Sequence, residues 1–421
     1  MTANELKKNI ADAKRASTSL LILTALERRE VLLKLAELLE RNSGRIIVLN
    51  QKDISIAKQN GKADSFIERL SLDKNKIIAM ANATRAVAKQ QDILFKTLEQ
   101  RRRPNGLLIK KVRFPLGLVA MIYESRPNVT IDAFTLSFKS GNALLLKGGK
   151  EILFTNKILV RLIHEALATR HIDTNVVKNL SGLDKKFVIE LMSNPSIDCL
   201  IPRGGKNLID FVRKYARVPV IVTGASVVHT YVDSDANIES ATRIILNAKM
   251  RRVSICNALD VVLLHRKVYA QMLRKLGPDL AEKRVQIRAD RRSFDVLKKS
   301  RYPYLKHALA KDFDTEFLDY VLAIKVVNNF EEALQHISEH SLGHSEAIIT
   351  RSKKHAEVFF RTIDAACLYL NTSTQFSDGG EFGMGGEIGI STQKLHARGP
   401  FSALELTTYK YLVKSDGAIR K

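Results

Sequence analysis

Apolar and polar residues along this chain follow two different rhythms. Through about the first hundred residues the period is helical. Between Arg28 and Arg41, Leu32, Leu35 and Leu39 fall on one face, and Asn42-Ser43-Gly44 ends the helix. Lys96 to Arg113 is largely polar and basic; Pro104-Asn105-Gly106 reads as a turn and Leu107–Val112 as a strand, so a protruding β-hairpin is expected over 96–113. From Gly117 onward short apolar runs recur at Leu118–Ile122, Ala143–Leu146, Val176–Leu180, Cys199–Ile201 and Val218–Val222, mostly separated by helix-length intervals. That alternation predicts βαβ units around a parallel sheet. A second series begins near Ser226, with strands predicted at Ile255–Leu264, Val321–Val327, Glu346–Thr350 and Cys367–Asn371. The chain then runs through a glycine-rich segment, Gly379 to Gly389, to an expected edge strand at Leu406–Val413.

Composition narrows the class. With 421 residues, 45% of them hydrophobic, the chain can build more than one core. No apolar run approaches the roughly 20 residues of a membrane span. Residues 1–20 carry Lys7, Lys8, Lys14 and Arg15 and lack the apolar core and cleavage site of a secretory signal. Three cysteines, Cys199, Cys256 and Cys367, are too few and too dispersed for a disulfide framework. A reducing, cytoplasmic setting is expected. The net charge of +24 raises nucleic-acid binding, but the cations are spread out and the densest run, Arg101-Arg102-Arg103, lacks interleaved aromatics. A solvated basic surface accounts for them better, and no nucleic acid or membrane partner is expected. His229, His344 and His396 show no metal-ligand spacing, so no metal is expected.

The candidate chemistry lies where the first series of runs ends. Loops past the carboxyl ends of parallel strands are the ligand edge of open α/β sheets, and a nucleotide cleft is expected there. Lys147-Gly148-Gly149-Lys150 and Arg203-Gly204-Gly205-Lys206 pair glycines, which admit a ligand close to the backbone, with lysines and a following helix start whose N–H groups attract anions. Glu151 and Asn207 stand where a P-loop needs Ser or Thr, so neither loop is one. Cys256 follows Lys249, Arg251 and Arg252, cations that favour its thiolate, while Cys199 and Cys367 lie inside apolar strands and read as core.

Taken together, these residues resemble a known family. Phe114-Pro115-Leu116-Gly117, Tyr123-Glu124-Ser125-Arg126-Pro127-Asn128-Val129-Thr130, Ile201-Pro202-Arg203-Gly204-Gly205-Lys206, Cys256-Asn257-Ala258-Leu259, Gly379-Gly380-Glu381-Phe382-Gly383 and the run from Glu387 to Pro400 are similar to gamma-glutamyl phosphate reductases, within the aldehyde dehydrogenase superfamily. The resemblance runs end to end. It implies two Rossmann-like α/β domains with parallel-rich sheets and small oligomerisation elements: residues 1–225 binding NADP, 226–398 catalytic, 399–421 an oligomerisation tail. It implies reduction of L-glutamyl 5-phosphate by NADPH to L-glutamate 5-semialdehyde and phosphate, the second step of proline biosynthesis. Cys256 is then the nucleophile, and Asn128 or Arg126, with Asn247 as a further candidate, steadies the oxyanion or leaving phosphate. Tyr123, Ser125, Asn257 and Gln375 join Arg126 around the substrate. The two glycine-pair loops and Glu316 hold the cofactor, with Lys150 favouring a 2′-phosphate. A homo-oligomer is implied, and the instability of glutamyl phosphate suggests association with glutamate 5-kinase.

Departures from the family pattern matter to the chemistry. Val222 occupies the position of the superfamily's general-base glutamate, which a reductase expelling phosphate does not need, although many reductases keep it. Ser226 and Val228 replace an expected Gly and Cys, Val253 a Pro, Asp260 a Glu, and Gln375 an Arg, the last bearing on affinity for substrate anions. Two rivals stay open: a superfamily relative acting on another acyl phosphate or aldehyde, and an RNA-binding protein using the basic surface.

Overall fold

The computed structural model describes residues 2–420; the side chains of Ser65 and Lys206 lie outside that description. The chain divides into two compact units. The first comprises Met1–Thr223, Gly383–Gly389 and Leu395–Lys421, and the second Gly224–Phe382 and Ile390–Lys394.

The first unit opens with helices Ala3–Ala16, Ala25–Arg41, Ser43–Gln59 and Lys74–Lys89. Ala25–Arg41 begins ahead of the leucine face because Thr24 caps it: its hydroxyl accepts the Glu27 N–H at 3.2 Å, and its own N–H donates to the Glu27 carboxylate at 2.7 Å. Leu32, Leu35 and Leu39 are fully buried, as their spacing predicts. Arg28, on the same helix, is buried too, donating to the Leu23 carbonyl and the Asp92 carboxylate, both at 2.7 Å. Asn42 ends the helix as predicted, but a second helix starts at Ser43, so the polar triplet is a joint between two helices.

The hairpin forms where expected: β1 (Thr97–Arg102) pairs antiparallel with β2 (Leu108–Pro115). The C-terminal strand Thr407–Lys414 pairs along the other side of β2, with Tyr411 opposite Lys111, and is an edge strand as predicted. Beyond it lies a four-stranded parallel sheet of β3 (Leu118–Tyr123), β4 (Ala143–Gly148), β5 (Val177–Asn179) and β6 (Cys199–Arg203), in the order β5-β4-β3-β6. Helices Asn128–Lys139 and Leu153–Ala168 supply crossovers. The run Val218–Val222 is not a full strand; it makes one bridge, Val220 to Leu200. Pro219 has no N–H to extend the ladder.

The second unit holds a seven-stranded, all-parallel sheet in the order β10-β9-β11-β8-β7-β12-β13. Its strands are β7 (His229–Val232), β8 (Val261–His265), β9 (Gln286–Ala289), β10 (Leu305–His307), β11 (Val321–Val327), β12 (Ser345–Ile349) and β13 (Cys367–Leu370). The predicted strand Ile255–Leu264 is shorter than expected: pairing starts at Val261, and the residues before it form a loop. The apolar-run criterion misses β7, which buries His229 and Thr230, and β9, in which only alternate residues are buried.

Candidate active site

The two glycine-pair loops of the first unit stand past β4 and β6, as predicted, yet their helix starts are already occupied. At the start of Leu153–Ala168, the Phe154 and Thr155 N–H groups donate to the buried Asp53 carboxylate at 3.2 and 2.8 Å, and the Thr155 hydroxyl adds a third bond at 2.6 Å. Burial raises the Asp53 carboxyl, opposed by those three bonds. Gly205, which precedes helix Lys206–Tyr215, donates its N–H to Glu124 at 3.0 Å. In-chain carboxylates therefore take the Phe154 and Thr155 N–H groups at the first helix start and the Gly205 N–H at the second, as helix N-termini favour. The Lys206 side chain lies outside the described residues. Lys147 is half-buried and Lys150 exposed, so both cations remain on the first loop. Gly148 is required there, since a Cβ would sit 2.1 Å from Asn156 Nδ2.

A cavity of about 130 Å³ lies at the carboxyl ends of β3 and β6. Arg126, Asn128, Asp132, Arg203 and Glu387 line it with polar groups, and Met121, Val129, Ala133 and Ile388 form its apolar wall. Asn128 opens helix Asn128–Lys139 and donates from Nδ2 to Asp132 Oδ2 at 2.9 Å, one turn on. Burial pushes the Asp132 carboxyl up to about 6, against the Asn128 bond and the Arg203 charge, while the Glu387 charge adds to the rise. Arg203 Nε is buried without a hydrogen-bond partner among the described residues. Sequence reasoning missed Asp132 and Glu387. The signal for Asp132 was present: it lies four residues after Asn128 on a helix otherwise buried almost all round. Tyr123, expected beside the substrate, instead turns into the core, where its hydroxyl meets Thr130 Oγ1 at 2.8 Å and burial drives its pKa up. Ser125 is buried nearby.

In the second unit Cys256 rides the loop between helix Ile238–Met250 and β8. Side chains from distant segments take the backbone carbonyls around it. Ser226 Oγ donates to the Cys256 carbonyl, Thr374 Oγ1 to that of Asn257 at 2.8 Å, and Lys249 Nζ to that of Leu259 at 3.0 Å. Gln375 Nε2 donates to Ala248 at 2.8 Å and Arg252 at 3.3 Å, while its Oε1 accepts from Arg251 at 3.1 Å. Gln375 is thus a buried brace for the loop. Asn257 is buried too; its Nδ2 donates to the carbonyls of Ser377 at 2.9 Å and Gln375 at 3.4 Å, while its Oδ1 has no hydrogen-bond partner among the described residues. Lys249 is fully buried, and burial lowers it to about 8. Asn247 is exposed near the end of its helix. Cys256 is partly exposed, whereas Cys199 and Cys367 are buried in strands as predicted.

Glu316 adjoins this loop: its Oε1 lies 3.1 Å from Ser226 Oγ, and burial lifts its carboxyl to about 7. Asp260 secures the same corner, accepting the Phe317 N–H at 3.0 Å and the Val228 N–H at 3.2 Å. Burial raises it to about 6, with the Lys249 charge the main opposing influence.

Residues 1–295 match the aldehyde dehydrogenase family. A gamma-glutamyl phosphate reductase from Carboxydothermus hydrogenoformans is 47% identical over 410 residues, covering 97% of each chain. The chain belongs to the gamma-glutamyl phosphate reductase family. A second member, from Legionella pneumophila strain Paris, is 46% identical over 410 residues, again 97% of both. The crystal structure of gamma-glutamyl phosphate reductase from Thermotoga maritima matches with a TM-score of 0.94 at 38% identity, covering 99% of this chain and 100% of that one. The fold is accordingly aldehyde dehydrogenase-like, and the family is one of nicotinamide-dependent oxidoreductases. Among the described residues no helix is long and apolar enough to cross a membrane.

Proposed function

We propose that this chain reduces L-glutamyl 5-phosphate to L-glutamate 5-semialdehyde with release of phosphate, using NADPH and a thioester on Cys256. The observation that carries the reading is the Cys256 loop: a partly exposed thiol on a backbone pinned by Ser226, Thr374, Gln375 and Lys249. A nucleophile held this way loses little entropy on reaching its attack geometry. The Cys256 thiolate attacks the acyl carbon, a C–S bond forms, and the C–O bond to phosphate breaks with its electron pair leaving on phosphate. When bound, NADPH supplies the hydride that takes the thioester to the aldehyde level. Cys256 then departs as thiolate. Asn128 or Arg126, with Asn247 as the alternative, would steady oxyanion charge, an effect typically worth about 3 kcal/mol. Val222, buried and apolar, offers no base for hydrolysis, which favours phosphate release over water attack.

The residues fit the cofactor. Lys147 and Lys150 offer cations beside Gly148, and Lys150 suits a 2′-phosphate. Glu316 would accept from the nicotinamide ribose once its contact with Ser226 is released. The reading extends to a cytoplasmic homo-oligomer, with the hairpin and the C-terminal strand as contact arms, and to association with glutamate 5-kinase.

The test is the reverse reaction: glutamate 5-semialdehyde, NADP and phosphate, followed as NADPH formation, with Cys256→Ala alongside. Phosphate-dependent turnover in the wild type alone is expected. Faster hydrolytic oxidation of simple aldehydes would overturn the reading.

A further inference from the structure

The cavity of the first unit carries both signs of charge, and that mixture identifies what it can hold. Asp132 and Glu387 contribute carboxylates, Arg126 and Arg203 guanidiniums, and the buried Arg203 Nε has no hydrogen-bond partner among the described residues. Phosphate or pyrophosphate would meet the arginines but also the two carboxylates, and like charges brought together in a desolvated site cost several kcal/mol. A simple dicarboxylate meets the same repulsion. A group that is itself zwitterionic satisfies every wall at once. Met121, Val129, Ala133 and Ile388 add the apolar surface that a short methylene chain needs.

We propose that this cavity is the recognition site for an α-amino acid head group, with Asp132 and Glu387 receiving the α-ammonium and Arg203 the α-carboxylate. The inference rests on the glutamyl phosphate reading and makes these residues its specificity determinants. It moves Arg203 from cofactor to substrate, in keeping with Gly205 beside it, whose N–H is taken by Glu124. It also gives Asp132 a task beyond orienting Asn128, to which it is bonded at 2.9 Å. The raised Asp132 carboxyl agrees: burial and the Glu387 charge outweigh the Asn128 bond and the Arg203 charge, and an arriving ammonium would add a further cation to the carboxylate.

The experiment compares two aldehydes in the reverse reaction with NADP and phosphate: glutamate 5-semialdehyde and glutaric semialdehyde, the same chain without the amino group. The full-length wild type, Asp132→Asn and Glu387→Gln are each assayed with both. The wild type should prefer the amino substrate in kcat/KM by about 10²-fold or more, because a site built for a polar group rejects the analogue that lacks it. Asp132→Asn should collapse that ratio at least about tenfold, and Glu387→Gln should lower it in the same direction. A parallel fall for both aldehydes, leaving the ratio unchanged, would mean that Asp132 only orients Asn128 and would overturn the proposal. So would a wild type without preference. Binding of L-glutamate against glutarate, read by calorimetry, separates the two levels of the argument. If the wild type turns over neither aldehyde, tighter binding of glutamate that Asp132→Asn abolishes still supports the cavity while the catalytic reading fails; equal binding of both overturns the cavity assignment too.

Discussion

The two sheets of this molecule put their chemistry at opposite edges. In the first unit Glu124, Asn128 and Arg203 stand at or past the carboxyl ends of β3 and β6, the usual ligand edge of an open parallel sheet. In the second unit Ser226, Asp260 and Glu316 precede β7, β8 and β11, and the Cys256 loop precedes β8, so the candidate nucleophile sits at the amino edge. The carboxyl edge of that sheet is closed. There Asp233 accepts from the Tyr231 hydroxyl at 3.0 Å and Thr350 Oγ1 at 2.9 Å, and its Oδ2 meets His355 Nδ1 at 2.6 Å. Strand direction alone does not locate a site; at the amino edge of the second sheet the in-chain bonds hold a partly exposed thiol in place, whereas at its carboxyl edge they tie Asp233 to its neighbours.

The largest test of this contrast is Cys256→Ala, expected to lower phosphate-dependent NADPH formation about 10⁴-fold or more, since the proposed thioester forms on that thiol and Cys199 and Cys367 are buried. Residual turnover near wild type would remove the amino edge from the chemistry. Next comes the brace of the first unit. Asp53→Ala should cost about 2–3 kcal/mol in urea unfolding, because it strands the buried Thr155 N–H and hydroxyl and removes the partner of the Phe154 N–H. Glu124→Ala, whose carboxylate is exposed, should cost far less; equal losses would break the distinction between a buried and a solvated cap. Ser226→Ala should lower kcat about tenfold by freeing the Cys256 carbonyl, a hydrogen bond's share of positioning. An unchanged kcat would leave Ser226 with packing alone.

The smallest effect is a pH slope. Glu316 is lifted from 4.5 to about 7, so between those values the folded chain keeps a proton that the unfolded chain has lost. Stability from this group therefore falls as pH rises through that window and is level above it. Asp132 and Asp260, both lifted from 3.8 to about 6, act in the same sense at lower pH. Glu316→Gln should make the fall shallower by about 1–2 kcal/mol in unfolding measured at a series of pH values. Identical slopes for variant and wild type would show that the folded carboxyl is not held neutral.

The sequence was informative where the signal is local. The leucine face of Ala25–Arg41, the hairpin around Pro104-Asn105-Gly106 and the buried runs of β3 and β4 follow from spacing and turn chemistry. It was silent where a partner lies far along the chain. Nothing around Gln375 in the sequence announces that its amide braces the Ala248 and Arg252 carbonyls. Nor does the second glycine-pair loop show in sequence that Glu124, from another loop, takes its Gly205 N–H.

By itself, then, the sequence determined the α/β alternation, the family motifs and Cys256 as the thiol apart from the core, because each is written in neighbouring residues or in burial preference. Only the tertiary structure decided which donors were left for a ligand. A hydrogen-bonding group satisfies few partners at short range, so whether Gly205, Asn257 or Arg203 is available depends on side chains that folding brings from far away in the chain.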